Sequence, residues 1–114
     1  MGTFAPFGHS VIRQVAADNF VKPFNFILLT GDIAYAGMQS QKVGEVEPIW
    51  DIFGELSEKF AAYTPFMPGV GNHESYYNYS SYFHRYQLPR SFPNQTNLWF
   101  SFDYGQLHVV HFSS

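Results

Sequence analysis

The sequence contains no cysteine, which excludes a disulfide framework and any metal site built from thiolates. Charged residues are also scarce, at 13% of the chain, and the six lysines and arginines are scattered rather than clustered. Proteins that bind nucleic acid usually carry a basic patch, so we expect no nucleic-acid partner. No apolar run approaches the roughly 18 residues that a membrane span requires, so we expect no membrane span.

The first residues, MGTFAPFG, lack the charged segment and the long apolar stretch that together mark a signal peptide. Two N-glycosylation triplets are nevertheless present, and they make Asn78 and Asn94 candidate glycosylation sites. The triplets point to a secretory history. If the protein is secreted, its signal segment lies outside these residues.

Aromatic residues are abundant, at 20% of the chain, and thirteen of them are phenylalanine. With 46% apolar residues, a chain of 114 residues can bury a core and form one domain or part of one. Few charges and many aromatics exclude a disordered chain. The low charge also predicts that some apolar surface is covered by something else in the native protein.

Helix and strand patterns alternate in the first part of the chain. Residues 10–21 carry an apolar stripe at helical spacing, with Ser10 as the expected cap. Residues 24–30, FNFILLT, form an apolar run typical of a strand buried on both faces. An amphipathic helix over 45–60 and a short strand over 65–69 follow. This order predicts βαβ units and a parallel sheet.

The later part of the chain has a different character. It begins with a segment rich in tyrosine, asparagine, serine and proline, where we expect a short helix over 79–86 inside a long loop. Two strands are then predicted over 98–103 and 107–113, joined by a tight turn at 103–106. The chain stops just after a strand is complete, and we therefore expect it to be truncated.

Two loops that follow the first two predicted strands share one pattern. They read TGDIAY and GVGNHE, and each places polar residues directly after a glycine. In an open α/β sheet, ligands bind beyond the carboxyl ends of the strands, so Asp32, Tyr35, Asn72 and His73 should meet at one edge. Carboxylate, amide and phenolate oxygens bind metal ions, and an imidazole can act as a general acid. The pattern indicates metal-assisted hydrolysis of phosphate esters.

Each of these residues also has a structural interpretation. An aspartate after a glycine, like Asp32, often forms a turn or caps a helix, and Tyr35 alone would be a packing residue. The occurrence of both loops, each after an apolar strand, favours the metal site. His108 and His111 are three residues apart on a predicted strand, so they point to opposite faces and cannot share an ion; we expect structural roles for both.

The segments GDIAYAG and GVGNHE resemble the second and third sequence blocks of the metallophosphoesterase superfamily, in the form found in purple acid phosphatases. Tyr35 is the distinctive residue of that form. The segments EVEPIWDIFGE, YTPFMPGVGNHE and WFSFDYGQLHVV are similar to segments of the large plant-type enzymes, so the resemblance covers nearly the whole chain. It implies an α/β fold, in which residues 1–114 are the first half of a catalytic β-sandwich flanked by helices.

The resemblance also implies a role for each site residue. Asp32 would bridge two metal ions, Tyr35 would bind Fe(III), and Asn72 would bind a divalent ion, which is Zn, Mn or Fe. His73 would contact the phosphate or protonate the leaving group, and Glu74 would support that histidine. The implied activity is hydrolysis of phosphate monoesters at acidic pH, by a secreted or vacuolar enzyme that forms a homodimer when complete.

The chain also departs from the family pattern. Relatives commonly read Asp-Met-Gly-Thr in the first block, whereas this chain opens with Met1-Gly2-Thr3, and the histidine blocks V-x-x-H and G-H-x-H are absent. Asp32, Tyr35 and Asn72 are then the only metal ligands left, and we expect the chain alone to be inactive. Two alternatives stay open: a phosphodiesterase of the same superfamily, and a non-catalytic protein that keeps half of the site.

Overall fold

The computed structural model describes residues 1–3, 7–37, 44–90 and 95–113. Two short 3-10 turns, Asn72–Glu74 and Tyr76–Tyr79, lie between the second strand and the third helix. The order of helices and strands along the chain confirms the predicted alternation of helix and strand followed by a hairpin. The helices and strands are α1 (Phe7–Val21), β1 (Ile27–Leu29), α2 (Glu47–Ala61), β2 (Phe66–Pro68), α3 (Ser80–Arg85), β3 (Trp99–Tyr104) and β4 (Leu107–Phe112).

Strands β1 and β2 pair in parallel, as the sequence predicts. Ile27 lies opposite Phe66, and Leu29 lies opposite Pro68. The pairing continues beyond β2, where the N–H of Gly69 donates to the carbonyl of Leu29 at 2.7 Å. Helix α2 connects the two strands, which gives a βαβ unit. Because the strands are parallel, the loops that follow them start at the same edge of the sheet.

Strands β3 and β4 form the predicted antiparallel hairpin as a separate sheet. The register runs from Trp99 opposite Phe112 to Tyr104 opposite Leu107, and the turn lies at residues 105–106. The inner face of the hairpin packs toward the parallel pair, with the Phe102 ring 5.3 Å from the ring of Phe26 in an edge-on contact. The hairpin therefore supplies the second layer of the fold.

The apolar core lies around helix α2. Its buried face carries Trp50, Phe53 and Phe60 at helical spacing, and the Phe60 ring contacts the ring of Phe66 on β2 at 5.6 Å. The helix has a proline in its first turn, where the missing N–H costs no hydrogen bond, and Lys59 in its last turn, where a cation suits the helix dipole. Within the described ranges, no helix has the length and apolarity needed to cross a membrane.

Two details of the N-terminal part differ from the predictions. Helix α1 begins at Phe7, so Ser10 lies inside the helix and is not its cap. Strand β1 has three residues rather than seven, and Leu28 is 40% exposed in the structure, so the strand is not buried on both faces. The buried Asn19 accounts for the loss of Phe24 from the strand, because its side-chain oxygen accepts the N–H of Phe24 at 2.8 Å and holds that residue in a loop.

The outer face of the hairpin is apolar and exposed. Trp99 and Phe112 lie opposite each other on this face, Val110 lies beside them, and all three side chains are largely exposed to solvent. Isolated apolar residues are common on protein surfaces, but three neighbours on one sheet face form a patch. The patch agrees with the expectation that this chain carries apolar surface which something else covers.

Candidate active site

The loops that follow β1 and β2 touch at two glycines. A Cβ atom added to Gly31, which has φ of 107°, would lie 2.6 Å from the backbone nitrogen of Gly71. A Cβ atom added to Gly71 would lie 2.2 Å from Oδ1 of Asp32. Both distances are shorter than real Cβ contacts, so only glycine permits this approach. The close contact places Asp32 directly beside the residue that precedes Asn72.

Asp32 and Tyr35 meet within the first loop. The Tyr35 hydroxyl donates to Oδ2 of Asp32 at 3.1 Å, and both residues have positive φ, of 62° and 51°. Such conformations are unfavourable for residues other than glycine and are concentrated at functional sites. Burial, together with the hydrogen bond to Asp32, raises the pKa of Tyr35 above its ordinary value.

The other carboxylate oxygen of Asp32 is buried and has no hydrogen-bond partner among the described residues. Buried side-chain oxygens are nearly always hydrogen-bonded, because a buried acceptor without a partner loses its interaction with water. An unpartnered carboxylate oxygen therefore points to a group that binds it in the functional protein. A cation would satisfy it.

Glu74 connects the two loops through its buried carboxylate. Its side chain is 1% exposed, and its carboxylate accepts three backbone N–H groups: those of Gly71 at 2.7 Å, Ile33 at 2.8 Å and Asp32 at 2.9 Å. Burial raises the pKa of Glu74, and the three N–H donors act against that shift. These three hydrogen bonds tie the Glu74 carboxylate to the backbone of both loops, whereas we expected it to support the His73 ring.

The His73 ring is positioned by the first loop. Its Nδ1 atom lies 2.6 Å from the carbonyl oxygen of Gly37, and its centroid is 4.5 Å from that of the Tyr35 ring. The sequence predicted that His73 and Tyr35 would share one edge of the sheet, and the structure brings their rings into contact. The contact with Gly37 could not be read from the sequence, because a backbone carbonyl leaves no mark on residue type.

A cavity of about 650 Å³ opens beside Asn72. Its polar lining includes Thr30 at the end of β1, Ser75 after the second loop and His111 of strand β4. Asn72 is exposed and is part of the lining of this cavity. Of the predicted site residues, Asn72 is the one that the structure links to this cavity.

His111 was assigned a structural role, and it lines that cavity as well. Its ring stacks on the ring of Phe100, with 4.8 Å between the centroids, and burial lowers its pKa. The sequence could have predicted that His111 and Phe100 lie on one face, because the register of the hairpin pairs them and side chains alternate along each strand. His108 lies on the opposite face, as predicted, where its Nδ1 is 2.6 Å from the carboxylate of Asp103.

One of the two candidate glycosylation sites lies within the described residues. Asn78 is exposed in the second 3-10 turn, in a left-handed conformation with φ of 56°. Asn94 lies outside the described residues. Glycosylation of both stays a prediction.

The two loops carry oxygen donors of the types that bind metal ions, but the number of these donors is small. A carboxylate, a phenol and an amide, from Asp32, Tyr35 and Asn72, are oxygen donors typical of sites for iron, manganese, zinc or magnesium. Within the ranges that the structure describes, no three histidine, cysteine, aspartate or glutamate side chains form a group that could hold a metal ion. The unpartnered oxygen of Asp32 fits a cation, while the rest of the donor set is smaller than that of a closed site.

Comparisons with known proteins indicate the family of the chain. The model of the family described as calcineurin-like phosphoesterase matches residues 8–112. The chain is 37% identical over 92 residues to acid phosphatase type 7 of Mus musculus, and 36% identical over 92 residues to acid phosphatase type 7 of Homo sapiens. It is 33% identical over 97 residues to purple acid phosphatase 21 of Arabidopsis thaliana. These alignments cover 78–80% of the chain but only 19–21% of each relative.

The chain therefore belongs to the calcineurin-like phosphoesterase family. It spans about a fifth of the length of the curated relatives that it matches. No solved structure matches the chain significantly. The fold agrees with the α/β architecture that the sequence predicted for part of this domain.

Proposed function

We propose that this chain carries part of the metal and phosphate site of a phosphatase that hydrolyses phosphate monoesters. The observation that carries the proposal is the buried, unpartnered Oδ1 of Asp32, at the point where the loops after β1 and β2 meet. The relatives named acid phosphatase support the same class of reaction.

Asp32, Tyr35 and Asn72 are the residues that would hold the ions. We assign Tyr35 to Fe(III), Asn72 to a divalent zinc, manganese or iron ion, and Asp32 to both ions. When bound, such ions would supply Lewis-acid polarisation of the phosphate ester. The protein contributes the fixed position of the Asp32 carboxylate, which depends on the close approach of Gly71 and on the hydrogen bonds from the Asp32 and Ile33 backbone to Glu74.

His73 would act on the leaving group. Its Nδ1 is occupied by the carbonyl of Gly37, so Nε2 is the nitrogen that can face the substrate. In phosphate ester hydrolysis an oxygen from water forms a bond to phosphorus, the bond from phosphorus to the leaving oxygen breaks, and the leaving oxygen takes up a proton. We assign the donation of this proton, or a hydrogen bond to the phosphate, to the Nε2–H group of the protonated His73 ring.

We also propose that the chain by itself is inactive. The donor set among the described residues is small, with one carboxylate, one phenol and one amide, and it is not closed around an ion. The same residues would serve a phosphodiesterase, so assays should include a monoester and a diester. Secretion or vacuolar location, and a homodimer of the complete enzyme, are further proposals that follow from the resemblance.

Titration of the chain with Fe(III), followed by visible absorption, tests the metal assignment. We expect a charge-transfer band from the iron-bound phenolate, and we expect Tyr35→Phe to abolish it. Tyr63→Phe is the matched control, because Tyr63 is 86% exposed and precedes strand β2, at the end opposite to the loop that follows it. A band that survives Tyr35→Phe, or no band in the parent chain, would contradict the assignment of Tyr35 to iron.

Activity is measured in parallel with p-nitrophenyl phosphate and bis-p-nitrophenyl phosphate. We expect no metal-dependent turnover of either compound by this chain. Turnover of the monoester that is lost in His73→Asn would support the proposed chemistry but would overturn the proposed inactivity. Turnover of the diester alone would favour the phosphodiesterase alternative.

A further inference from the structure

His73 is held at one ring nitrogen by a backbone carbonyl. Its Nδ1 lies 2.6 Å from the oxygen of Gly37, a residue 36 positions away in the sequence. A carbonyl oxygen can only accept a hydrogen bond, so Nδ1 carries the hydrogen in this contact. Nε2 is then the nitrogen available to a ligand: it carries no proton in the neutral ring, and in the protonated ring it carries the hydrogen that can be donated to a phosphate ester while Nδ1–H stays bonded to Gly37. The position of Gly37 therefore decides which nitrogen of His73 is presented.

The side chain of Tyr76 packs directly against Gly37. A Cβ atom added to Gly37 would lie 2.2 Å from Cε2 of Tyr76 and 2.3 Å from Cδ2, so the tyrosine ring occupies the space that a side chain would need. Gly37 is buried, and Tyr76 is 8% exposed. Buried groups in close contact do not move independently, so the ring limits where the Gly37 backbone can lie.

The chain after Tyr76 is strained. Tyr77, Asn78 and Tyr79 follow one another with φ of 49°, 56° and 61°, which is a left-handed turn made without glycine. Residues other than glycine avoid this conformation unless the surrounding structure enforces it. The turn lies between the loop that carries His73 and helix α3. It directly follows Tyr76, the residue whose ring packs against Gly37.

We propose that Tyr76 is a positioning residue for His73: its ring fixes Gly37, and the Gly37 carbonyl holds Nδ1 so that Nε2 is presented to the phosphate ester. The inference rests on the proposed function, because it gives a purpose to the orientation of His73. Tyr76 itself does not touch substrate in this scheme. It acts through one backbone carbonyl.

The experiment reads the His73 ring in the full 114-residue chain without metal or substrate. Proton–nitrogen correlation spectra of the histidine rings report which nitrogen carries the hydrogen, and His73→Gln assigns the signals. In the parent chain we expect the Nδ1–H form of His73 to dominate at a pH where the ring is neutral. Tyr76→Ala should make that form the minor one, and Tyr76→Phe should restore it because the ring is kept.

Two controls separate positioning from general loosening of the fold. The His111 ring, stacked on Phe100, should keep its spectrum in Tyr76→Ala. Tyr63→Ala, which removes an exposed tyrosine ring, should leave His73 unchanged. Tyr76→Leu keeps apolar volume at the site and is the second variant if the alanine variant unfolds.

Several outcomes would overturn the proposal. They are an Nε2–H form of His73 in the parent chain, an Nδ1–H form that persists in Tyr76→Ala, and equal changes at His73 and His111. Unfolding of both the alanine and the leucine variants would also overturn it, since Tyr76 would then be a general packing residue. The spectra require neither bound metal nor enzyme activity. The positioning role of Tyr76 can therefore be supported even if the metal and turnover assays contradict the proposed function, and it can fail even if those assays succeed.

Discussion

Glu74 accepts the backbone N–H of Asp32 at 2.9 Å, across 42 residues of sequence. The acceptor belongs to the loop after β2 and the donor to the loop after β1. Asp32 is held in a left-handed conformation with φ of 51°, which needs support from its surroundings. The buried glutamate therefore stabilises the strained backbone of the residue that we assign as the shared metal ligand.

Replacing Glu74 with glutamine should destabilise the chain and displace Asp32. An amide offers one acceptor oxygen where the carboxylate offers two, and its NH₂ group would face backbone donors. Leaving buried N–H groups without acceptors costs about 1–3 kcal/mol. Urea denaturation measures the loss, with Glu55→Gln on the exposed side of α2 as the control. Equal stability of the parent chain and the Glu74 variant would contradict this role.

Gly71→Ala should displace Asp32 through a steric clash. The new Cβ would lie 2.2 Å from Oδ1 of Asp32 and 2.6 Å from its backbone nitrogen, so one of the loops must shift. Forced overpacking costs about 1–3 kcal/mol, and iron uptake should weaken because Asp32 moves. The matched control is Gly54→Ala on α2, where the added Cβ meets no atom within 4 Å. The control should stabilise the helix by about 0.5–1 kcal/mol.

Thermal melting and iron titration of both glycine variants provide the comparison. The expected pattern is a lower melting temperature and weaker iron binding for Gly71→Ala, and a higher melting temperature with unchanged binding for Gly54→Ala. If Gly71→Ala binds iron as the parent chain does, the close approach at Gly71 is not needed for the site.

The sequence predicted the two loops because residue type and position carry that information. Asp32 follows a glycine at the end of the first apolar run, and Asn72 and His73 follow a glycine at the end of the second. Because the two runs are parallel strands, these positions suffice to place the residues at one edge of the sheet. The same reasoning located the hairpin, because strand alternation and a glycine turn are local signals.

Other features depend on partners that a local pattern does not show. Strand β1 does not include Phe24, whose N–H donates to the side chain of Asn19 five residues earlier, and residue type alone does not reveal that choice of partner. The link from Glu74 to two loops and the link from His73 to Gly37 both end on backbone atoms. Nearly every residue has a backbone N–H and a carbonyl, so the sequence does not show which of them act as partners. The geometry around the predicted residues could therefore come only from the structure.

Acid should weaken the packing of His111. Burial lowers its pKa in the folded chain, while the unfolded chain keeps a value of about 6.5. Between the two values the unfolded state binds more protons, so the stability that the neutral ring contributes is complete above about pH 6.5 and is lost as the pH falls. His111→Phe keeps a ring on Phe100 but cannot titrate, so its stability should depend less on pH.

Urea midpoints at about pH 7.5 and about pH 5.5 test this, because the two values bracket the unfolded pKa. The drop in midpoint should be smaller for His111→Phe than for the parent chain. His108→Gln is the control, since His108 is exposed on the other face of the hairpin, and it should not reproduce the effect. An equal drop in the parent chain and in His111→Phe would show that other groups carry the acid sensitivity.

Alkali should act on Tyr82, which anchors helix α3 to the end of strand β2. Its hydroxyl is 2.9 Å from the carbonyl of Pro68 and 2.9 Å from that of Asn97, and the residue is 0% exposed. Burial raises the pKa of Tyr82 above its ordinary value, with a smaller contribution from Tyr86. The stability contributed by the neutral phenol is therefore complete below about pH 10 and is lost as the pH rises further.

Tyr82→Phe should have two opposite consequences. Near neutral pH it should cost about 1–3 kcal/mol, because two buried carbonyls lose a donor. Above about pH 10 the parent chain should lose stability more steeply than the variant, since phenylalanine cannot ionise. Tyr63→Phe, at an exposed tyrosine, should change neither quantity. Urea midpoints across the alkaline range decide the matter, and parallel curves for the parent chain and Tyr82→Phe would assign the alkaline loss to other residues.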